Sequence, residues 1–364
     1  MKQTLTRQDA IDLWQGTRIL GCGGGGEPED GLEAIRTTYD EEERAFVLAS
    51  ADELDDDALI VTVGWVGGGV SEQEVRQVSA FQRAGDAALR AIEALEEHLG
   101  RKIEAYMPCE PGAGNGFVPF RAAAQNGAVT VDLDTAGRAK PEVVNSTTSV
   151  FRVPLTPLAV ATDFGDVLLM TEAADERRVE MLCRYVARAS GGLCAVARCP
   201  ISASQAHGKL IAGTLSRCLA AGRAIRLSAE PVDALQEALN AKRLFEGIVK
   251  TYTRNEEGGF VWGEIELLGS EASRGCSYRI YYKNENLIGW KGGRLDATTP
   301  DLIALVDAET GEGVYNWTDE SLYVGREVVL LRAPADPLWL NERGLELFGP
   351  RHFGFDFDYL PAET

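Results

Sequence analysis

Residues 59–107 read LIVTVGWVGGGVSEQEVRQVSAFQRAGDAALRAIEALEEHLGRKIEAYM, and this stretch decides the fold class. Leu59 to Val63 is a short apolar, β-branched run that reads as a buried strand. Gly67-Gly68-Gly69 follow as a turn at its C-terminal end, the edge where open α/β sheets bind ligands. From Glu72 to Leu99 apolar residues recur at Val75, Val78, Phe81, Ala84, Ala88, Ile92, Leu95 and Leu99. These steps of three and four predict one helix. Ile103 to Met107 predicts the next strand.

The same alternation extends outward. Thr6-Arg7-Gln8-Asp9 is a loose capping box that opens a helix to about Gln15, and Phe46 to Ala49 reads as a strand. Downstream, Phe117 to Gln125 predicts a helix and Ala128 to Leu133 a strand. Glu172 to Ala189 predicts a helix with Val179, Leu182, Cys183 and Val186 on one face. Leu193 to Cys199 then predicts a strand, and Ser202 to Ala221 a helix closed by Gly222. Strands that alternate with helices imply a layered α/β unit with partly parallel strands. After about Asn240 the pattern changes. Ile248 to Leu268 reads as a hairpin turning at Glu257-Gly258-Gly259, and Tyr278 to Tyr282, Leu302 to Asp307 and Val328 to Leu331 are short strands. Such frequent turns suggest a small β-barrel. The expected organisation is a three-layer α/β/α domain over 1–235 and a β-barrel-like domain over 236–364.

Composition narrows the function. The formal net charge of −20 opposes nucleic acid and anionic lipid as partners, because both demand a basic surface. It leaves open a small ligand held in a locally positive site. Met1 to Trp14 is polar and reads as a helix, not as a signal peptide. Seven scattered cysteines without a C-x-x-C pair fit reduced thiols and a cytoplasmic setting, with Cys183 and Cys218 as small core hydrophobes.

Six segments can carry chemistry. Gly21 to Gly26, with Gly23, Gly24, Gly25 and Gly26, can form an anion-binding nest or a plain flexible loop. Pro108 to Gly116 presents Glu110 and Asn115 on a loop directly after a strand, as an acid or base and a carbonyl-orienting amide, or as a cap and a surface pair. Asp132 and Asp134 lie two residues apart, with Arg138 as the cation between them or as part of a structural turn. Thr214 and Ser216 follow His207, placed one to two turns earlier on the same helix, without a nucleophile elbow. Lys283 to Leu287 puts Asn284, Glu285 and Asn286 into a strand-like stretch, where they line solvent or a site. Phe348 to Pro361 alternates Phe with Asp and reads as an edge strand. A metal held by Asp132, Asp134 or Glu142 with His207 matches no compact ligand spacing, so no metal is expected, and no cofactor is indicated.

In order and spacing, GCGGGGEPEDG, CEPGAGN, DLDTAGRAKPE, GTLS, KNENLIGW, TTPDLIALVDAETGE and GPRHFGFDFDYLP resemble the S-methyl thiohydantoin desulfurase-like family over nearly the whole chain. That resemblance implies an N-terminal α/β/α part and a C-terminal β-barrel. It also implies chemistry on five-membered cyclic amides or imides, beside hydantoinase/oxoprolinase-type enzymes. Two readings follow. In the first, the chain is an enzyme that displaces methanethiol from an S-methyl thiohydantoin, with Asp132 or Asp134 as base and Glu285 or Glu110 as acid. Arg138, Asn115, Asn284 and the glycines then orient the substrate. In the second, it is a non-catalytic accessory or ligand-binding partner of a hydantoinase-type enzyme. A homo-oligomer is compatible with either.

Overall fold

A computed structural model describes residues 2–67, 69–270 and 273–362. Gly68, read above as part of a glycine turn, lies outside the described residues. The first part of the chain runs through β1 (Gln3–Thr4), β2 (Val47–Ala49), β3 (Leu59–Gly67), β4 (Ala105–Pro108), β5 (Val129–Val131), β6 (Leu133–Asp134), β7 (Leu158–Ala161), β8 (Val167–Met170) and β9 (Leu193–Ser202). All but β6 form one sheet, ordered β1-β2-β5-β4-β3-β9-β7-β8. Strands β2, β5, β4 and β3 run parallel, and β9 is antiparallel to β3. Alternate side chains take opposite sides of the sheet. Leu59, Val61 and Val63 pack with Ala91, Ile92 and Leu95 of helix Ala87–Leu99. Leu158, Val160, Cys194 and Val196 pack with Val179, Cys183 and Ala187 of helix Glu176–Ala189.

Two expected helices are divided. The periodic stretch 72–99 forms Glu72–Val78 and Ala87–Leu99, parted at Gly85 and Asp86, whose φ values of 68° and 53° no right-handed helix accommodates. Phe81, counted in the apolar period, meets Phe164 edge-on at 6.0 Å instead of entering a helix face. The stretch 202–221 forms Ala203–Ala206, then β10 (Ile211–Ala212) paired with β6, then helix Thr214–Leu227. His207 therefore lies outside the helix that carries Thr214 and Ser216. Gly222 does not end that helix. It lies within it, pressed on helix Arg7–Leu20, where an added Cβ would stand 1.7 Å from the Asp12 carbonyl oxygen.

The second part comprises β11 (Lys242–Tyr252), β12 (Asn255–Glu257), β13 (Phe260–Gly269), β14 (Ser277–Lys283), β15 (Glu285–Lys291), β16 (Arg294–Thr298), β17 (Leu302–Asp307) and β18 (Glu327–Ala333). They form a curled half-barrel sheet ordered β16-β15-β14-β13-β11-β18-β17, with β12 on β13 and every pair antiparallel. The hairpin turn stands where expected: Glu257 pairs with Phe260 across Gly258 and Gly259, both at positive φ. Strands β17 and β18 are apolar along Leu302–Val306 and Val328–Leu331 because both their faces are covered there. Ile303, Leu305, Val328 and Leu330 join the core of the half-barrel with Phe245, Ile265 and Ile280. Leu302, Ala304, Val306, Val329 and Leu331 pack on Leu13, Ile19, Leu215 and Leu235 of the helices from earlier in the chain. The C-terminal Phe/Asp alternation is not an edge strand. Phe355 and Phe357 cover Trp290 from an irregular segment, and Asp356 and Asp358 pair with Arg351. The seven cysteines are free, with Cys183 and Cys218 in apolar cores. No helix of the described residues is long and apolar enough to cross a membrane.

Candidate active site

A cleft of roughly 1980 Å³ opens where β3 and β4 end, faced by the β12–β13 turn, the β14–β15 reversal and helix Glu176–Ala189. Strand β4 delivers Cys109 and Glu110 into it. Glu110 is buried and accepts hydrogen bonds from the Asn115 side-chain amide (3.1 Å) and the Lys140 backbone N–H (2.9 Å). Asn115 is itself fixed, since its Oδ1 accepts from the Trp65 N–H at 2.8 Å. Burial, and then the charge of Glu110, push the Cys109 thiol up to about 11.

From the other side comes Glu285. Strand β14 reverses into β15 at Asn284, whose φ of 56° suits an asparagine better than a larger side chain. The Asn284 Oδ1 accepts from the Val261 N–H at 2.9 Å and holds the reversal. Glu285 is 2% exposed, lines the cleft, and its Oε2 has no hydrogen-bond partner among the described residues. Burial, and then Glu110, raise its carboxyl well above the usual range. The two carboxyls thus differ in setting: Glu110 accepts two hydrogen bonds, and Glu285 leaves one oxygen without a partner among the described residues.

The glycine run is the seam between these two loops. Asn286 N–H donates to the Cys22 carbonyl (2.8 Å) and Asn316 N–H to that of Gly23 (2.9 Å). A Cβ on Gly24 would lie 2.1 Å from Glu285 Oε1, and one on Gly25 would lie 2.5 Å from Gly112 Cα. Only glycine lets the backbone pass this closely. Gly25 and Gly26 line the cleft, whereas Gly23 and Gly24 back onto Asn316 and Glu285.

The remaining expected residues are placed elsewhere. Asp132 and Asp134 do not line the cleft. Asp132 accepts the Leu215 N–H (2.7 Å) and the Ser216 hydroxyl, and Asp134 accepts the Gly137 N–H (3.0 Å) and the Thr214 hydroxyl (3.1 Å). Asp132 caps the start of helix Thr214–Leu227 from outside it, meeting its free N–H groups, whereas Asp134 closes the turn at Gly137 and reaches the helix only through the Thr214 hydroxyl. Burial pushes Asp134 up to about 8. Arg138 is not the cation between them: it donates to the carbonyls of Ala139, Asp301 and Asn286. Thr214 and Arg138 border a separate hollow of roughly 140 Å³, and His207 is exposed. Asn286 is wholly buried and donates to the Ile303 carbonyl at 3.1 Å, while Asn284 lines the cleft.

Several further residues form the wall, among them Glu142, considered above only as a metal ligand, and Arg184, Arg198 and Phe260, which the sequence does not single out. Glu142 accepts from Lys283 Nζ (2.5 Å) and pairs with His352 Nε2 (3.0 Å). Burial opposes its charge, but His352 and Lys283 outweigh burial and bring Glu142 down to about 2. Phe260 lies between the Arg184 guanidinium and Lys283 Nζ, each 4.1 Å from its ring centre. Arg198 reaches the cleft from β9, and its signal was an arginine inside the apolar run Ala195-Val196-Ala197. Among the described residues no group of three His, Cys, Asp or Glu side chains could hold a metal ion.

Comparison with known proteins covers the whole architecture. A crystal structure of a protein from Chromobacterium violaceum superposes with a TM-score of 0.79 at 26% identity, covering 99% of this chain and 100% of that one. No curated protein matches the chain. The model of the S-Me-THD-like N-terminal domain matches residues 8–172, and that of the S-Me-THD-like C-terminal domain matches residues 174–362. The chain belongs to the S-Me-THD-like family.

Proposed function

We propose that the chain is a hydrolase of a five-membered cyclic amide or imide, with an S-methyl thiohydantoin as its substrate type. The observation that carries this reading is the meeting of Glu110 and Glu285 in one cleft, one hydrogen-bonded and one with an unpartnered oxygen and a carboxyl whose pKa burial raises. Glu110 takes a proton from water as its oxygen attacks the ring carbon bearing sulfur. The C=N electrons pass to the ring nitrogen, which takes up the proton of the added hydroxyl as the C=O forms and the C–S bond breaks; Glu285 gives its proton to the departing sulfur and regains one from Glu110, so that water and substrate become hydantoin and methanethiol. On this reading the Asn115 amide, which donates to Glu110, holds that carboxylate in position, and its neighbourhood receives a ring carbonyl. This assignment moves the base from the aspartates to Glu110, because Asp132 is engaged at the helix start, Asp134 at the Gly137 N–H and the Thr214 hydroxyl, and neither lines the cleft.

The test is methanethiol release by the purified chain from an S-methyl thiohydantoin. Glu110→Gln and Glu285→Gln are each expected to cost about 100-fold or more, the range for general acid–base groups. Undiminished turnover in both variants would sink the reading. The accessory reading draws on the edge strand β8, where Val167, Leu168 and Leu169 are exposed and offer a partner chain an apolar edge. Turnover that appears only on adding a hydantoinase-type partner would favour it. We also read residues 1–235 as the three-layer unit and 236–364 as the barrel-like unit. Helix packing on both sides of the first sheet and the all-antiparallel sheet beginning at Lys242 support this division.

A further inference from the structure

We propose that Asn316 is the positioning residue of Glu285, holding the strand reversal on both sides of it and accepting its acid proton on Oδ1. This rests on the ring-hydrolase reading above and names what aims its acid.

Asn316 lies between β17 and β18 and is wholly buried. Its backbone N–H is spent on the Gly23 carbonyl (2.9 Å). Its side-chain Nδ2 donates to the Asn284 carbonyl (3.1 Å) and to Asn286 Oδ1 (3.0 Å), on the residues either side of Glu285. A neighbouring bond fixes which way this amide points. Asn286 gives its own Nδ2 to the Ile303 carbonyl at 3.1 Å, so an oxygen is what it turns to Asn316. Asn316 must meet that oxygen with its nitrogen, and both N–H bonds of the nitrogen are then used. The Oδ1 of Asn316 is left over, buried and without a donor among the described residues.

Glu285 leaves the matching gap. Its Oε2 is likewise buried without a partner among the described residues. The two side chains meet the same short stretch of backbone: a Cβ on Gly23 would lie 2.6 Å from Asn316 Oδ1, and one on Gly24 would lie 2.1 Å from Glu285 Oε1. An amide oxygen and an ionised carboxylate are both acceptors and satisfy nothing in each other. One proton on Glu285 turns the pair into a hydrogen bond and removes the cost of two orphaned atoms. Tyr315 does not fill this role. Its buried hydroxyl can donate, and within reach of Glu285 it would do so, yet it too has no partner among the described residues. The arrangement also serves turnover. While Glu285 holds its proton, the bond to Oδ1 fixes the rotamer of the carboxyl. Once the proton has gone to the departing sulfur, the carboxylate faces an acceptor and is driven to take the proton that Glu110 returns.

The experiment compares Asn316→Leu and Asn316→Asp with wild type in the pH profile of methanethiol release, and in infrared difference spectra against Glu285→Gln. Both variants lose the Nδ2 bonds, and only Asp keeps an oxygen for the proton. The groups that face Glu285 are Glu110, Arg138, Lys140, the Cys22 thiol and the Tyr315 hydroxyl. Asn316→Leu changes none of them, so a moved alkaline limb reports Glu285. Losing the acceptor disfavours the protonated acid. Asn316→Leu is therefore expected to move that limb about one pH unit or more towards acid, and to lower kcat about tenfold with KM little changed. Asn316→Asp is expected to keep the limb at or above its wild-type place. Variants that lose turnover alike at every pH, with the limb unmoved, overturn the proposal. The band of a protonated carboxyl, present in wild type and absent from Glu285→Gln, is expected at lower frequency than in Asn316→Leu. No such band at neutral pH, or a band that Asn316→Leu leaves in place, also overturns it. If Asn316→Leu fails to fold, the wild-type band decides by lying below that of a free acid or level with it. An Asn316-dependent band without turnover keeps the pairing and removes the ring chemistry. Turnover lost in Glu285→Gln, with a band indifferent to Asn316, does the reverse.

Discussion

Glu142 joins the two halves through single atoms: it lies in the first and is held by Lys283 and His352 of the second. Its carboxyl falls from 4.5 to about 2 on folding. A depressed carboxylate contributes stability above its unfolded value and loses it as pH falls through the folded one. The contribution is on the order of 3 kcal/mol. Glu142→Gln is therefore expected to lower the urea midpoint at pH 7, with the deficit shrinking between about pH 4.5 and pH 2. Asp134 has the opposite sign. Its carboxyl rises to about 8, so folding binds a proton and stability declines as pH climbs from about 4 towards 8. Asp134→Asn is expected to flatten that decline in denaturation curves while leaving turnover intact, in contrast to the glutamate variants. These aspartates also show why the site was only half legible. A carboxylate after a strand beside glycines is what marks Glu110 for the proposed site, and equally what marks Asp132, an acceptor for buried helix N–H groups. Local sequence does not distinguish the two needs. Only the distant partners, Leu215 and Ser216, do.

Among elements, the crossing of helices Arg7–Leu20 and Thr214–Leu227 depends on two glycines. A Cβ on Gly16 would stand 1.8 Å from the Cys218 carbonyl oxygen, and one on Gly222 would stand 1.7 Å from that of Asp12. Gly222→Ala is expected to destabilise by about 1–3 kcal/mol through overpacking, although alanine is the better helix former. Thermal melting of the variant checks this. Gly222 reads from sequence as a helix end, because a glycine in a helical pattern signals a terminus as readily as a close crossing. Strands were more legible than helix limits, since alternation or an apolar run survives in five residues. The breaks at Gly85-Asp86, Gly208 and Gly213 rest on single dihedrals that apolar spacing does not register.

At the scale of the molecule, one core includes Leu13 near the N-terminus, Leu215 and Leu235 in the middle, and Val306 and Leu331 towards the C-terminus. The chain is expected to unfold in a single calorimetric transition, and separately expressed 1–235 and 236–364 are expected not to unfold cooperatively alone. Two resolved transitions would contradict this. The interlocked core also bears on how the protein is made. Leu13 and Ile19 emerge from the ribosome some three hundred residues before Val329 and Leu331, the partners that cover them. At about 5–20 residues per second that interval lasts tens of seconds. Throughout it the amphipathic first helix has an uncovered apolar side, and the nascent chain is a client for whatever holds such surfaces apart until β18 arrives.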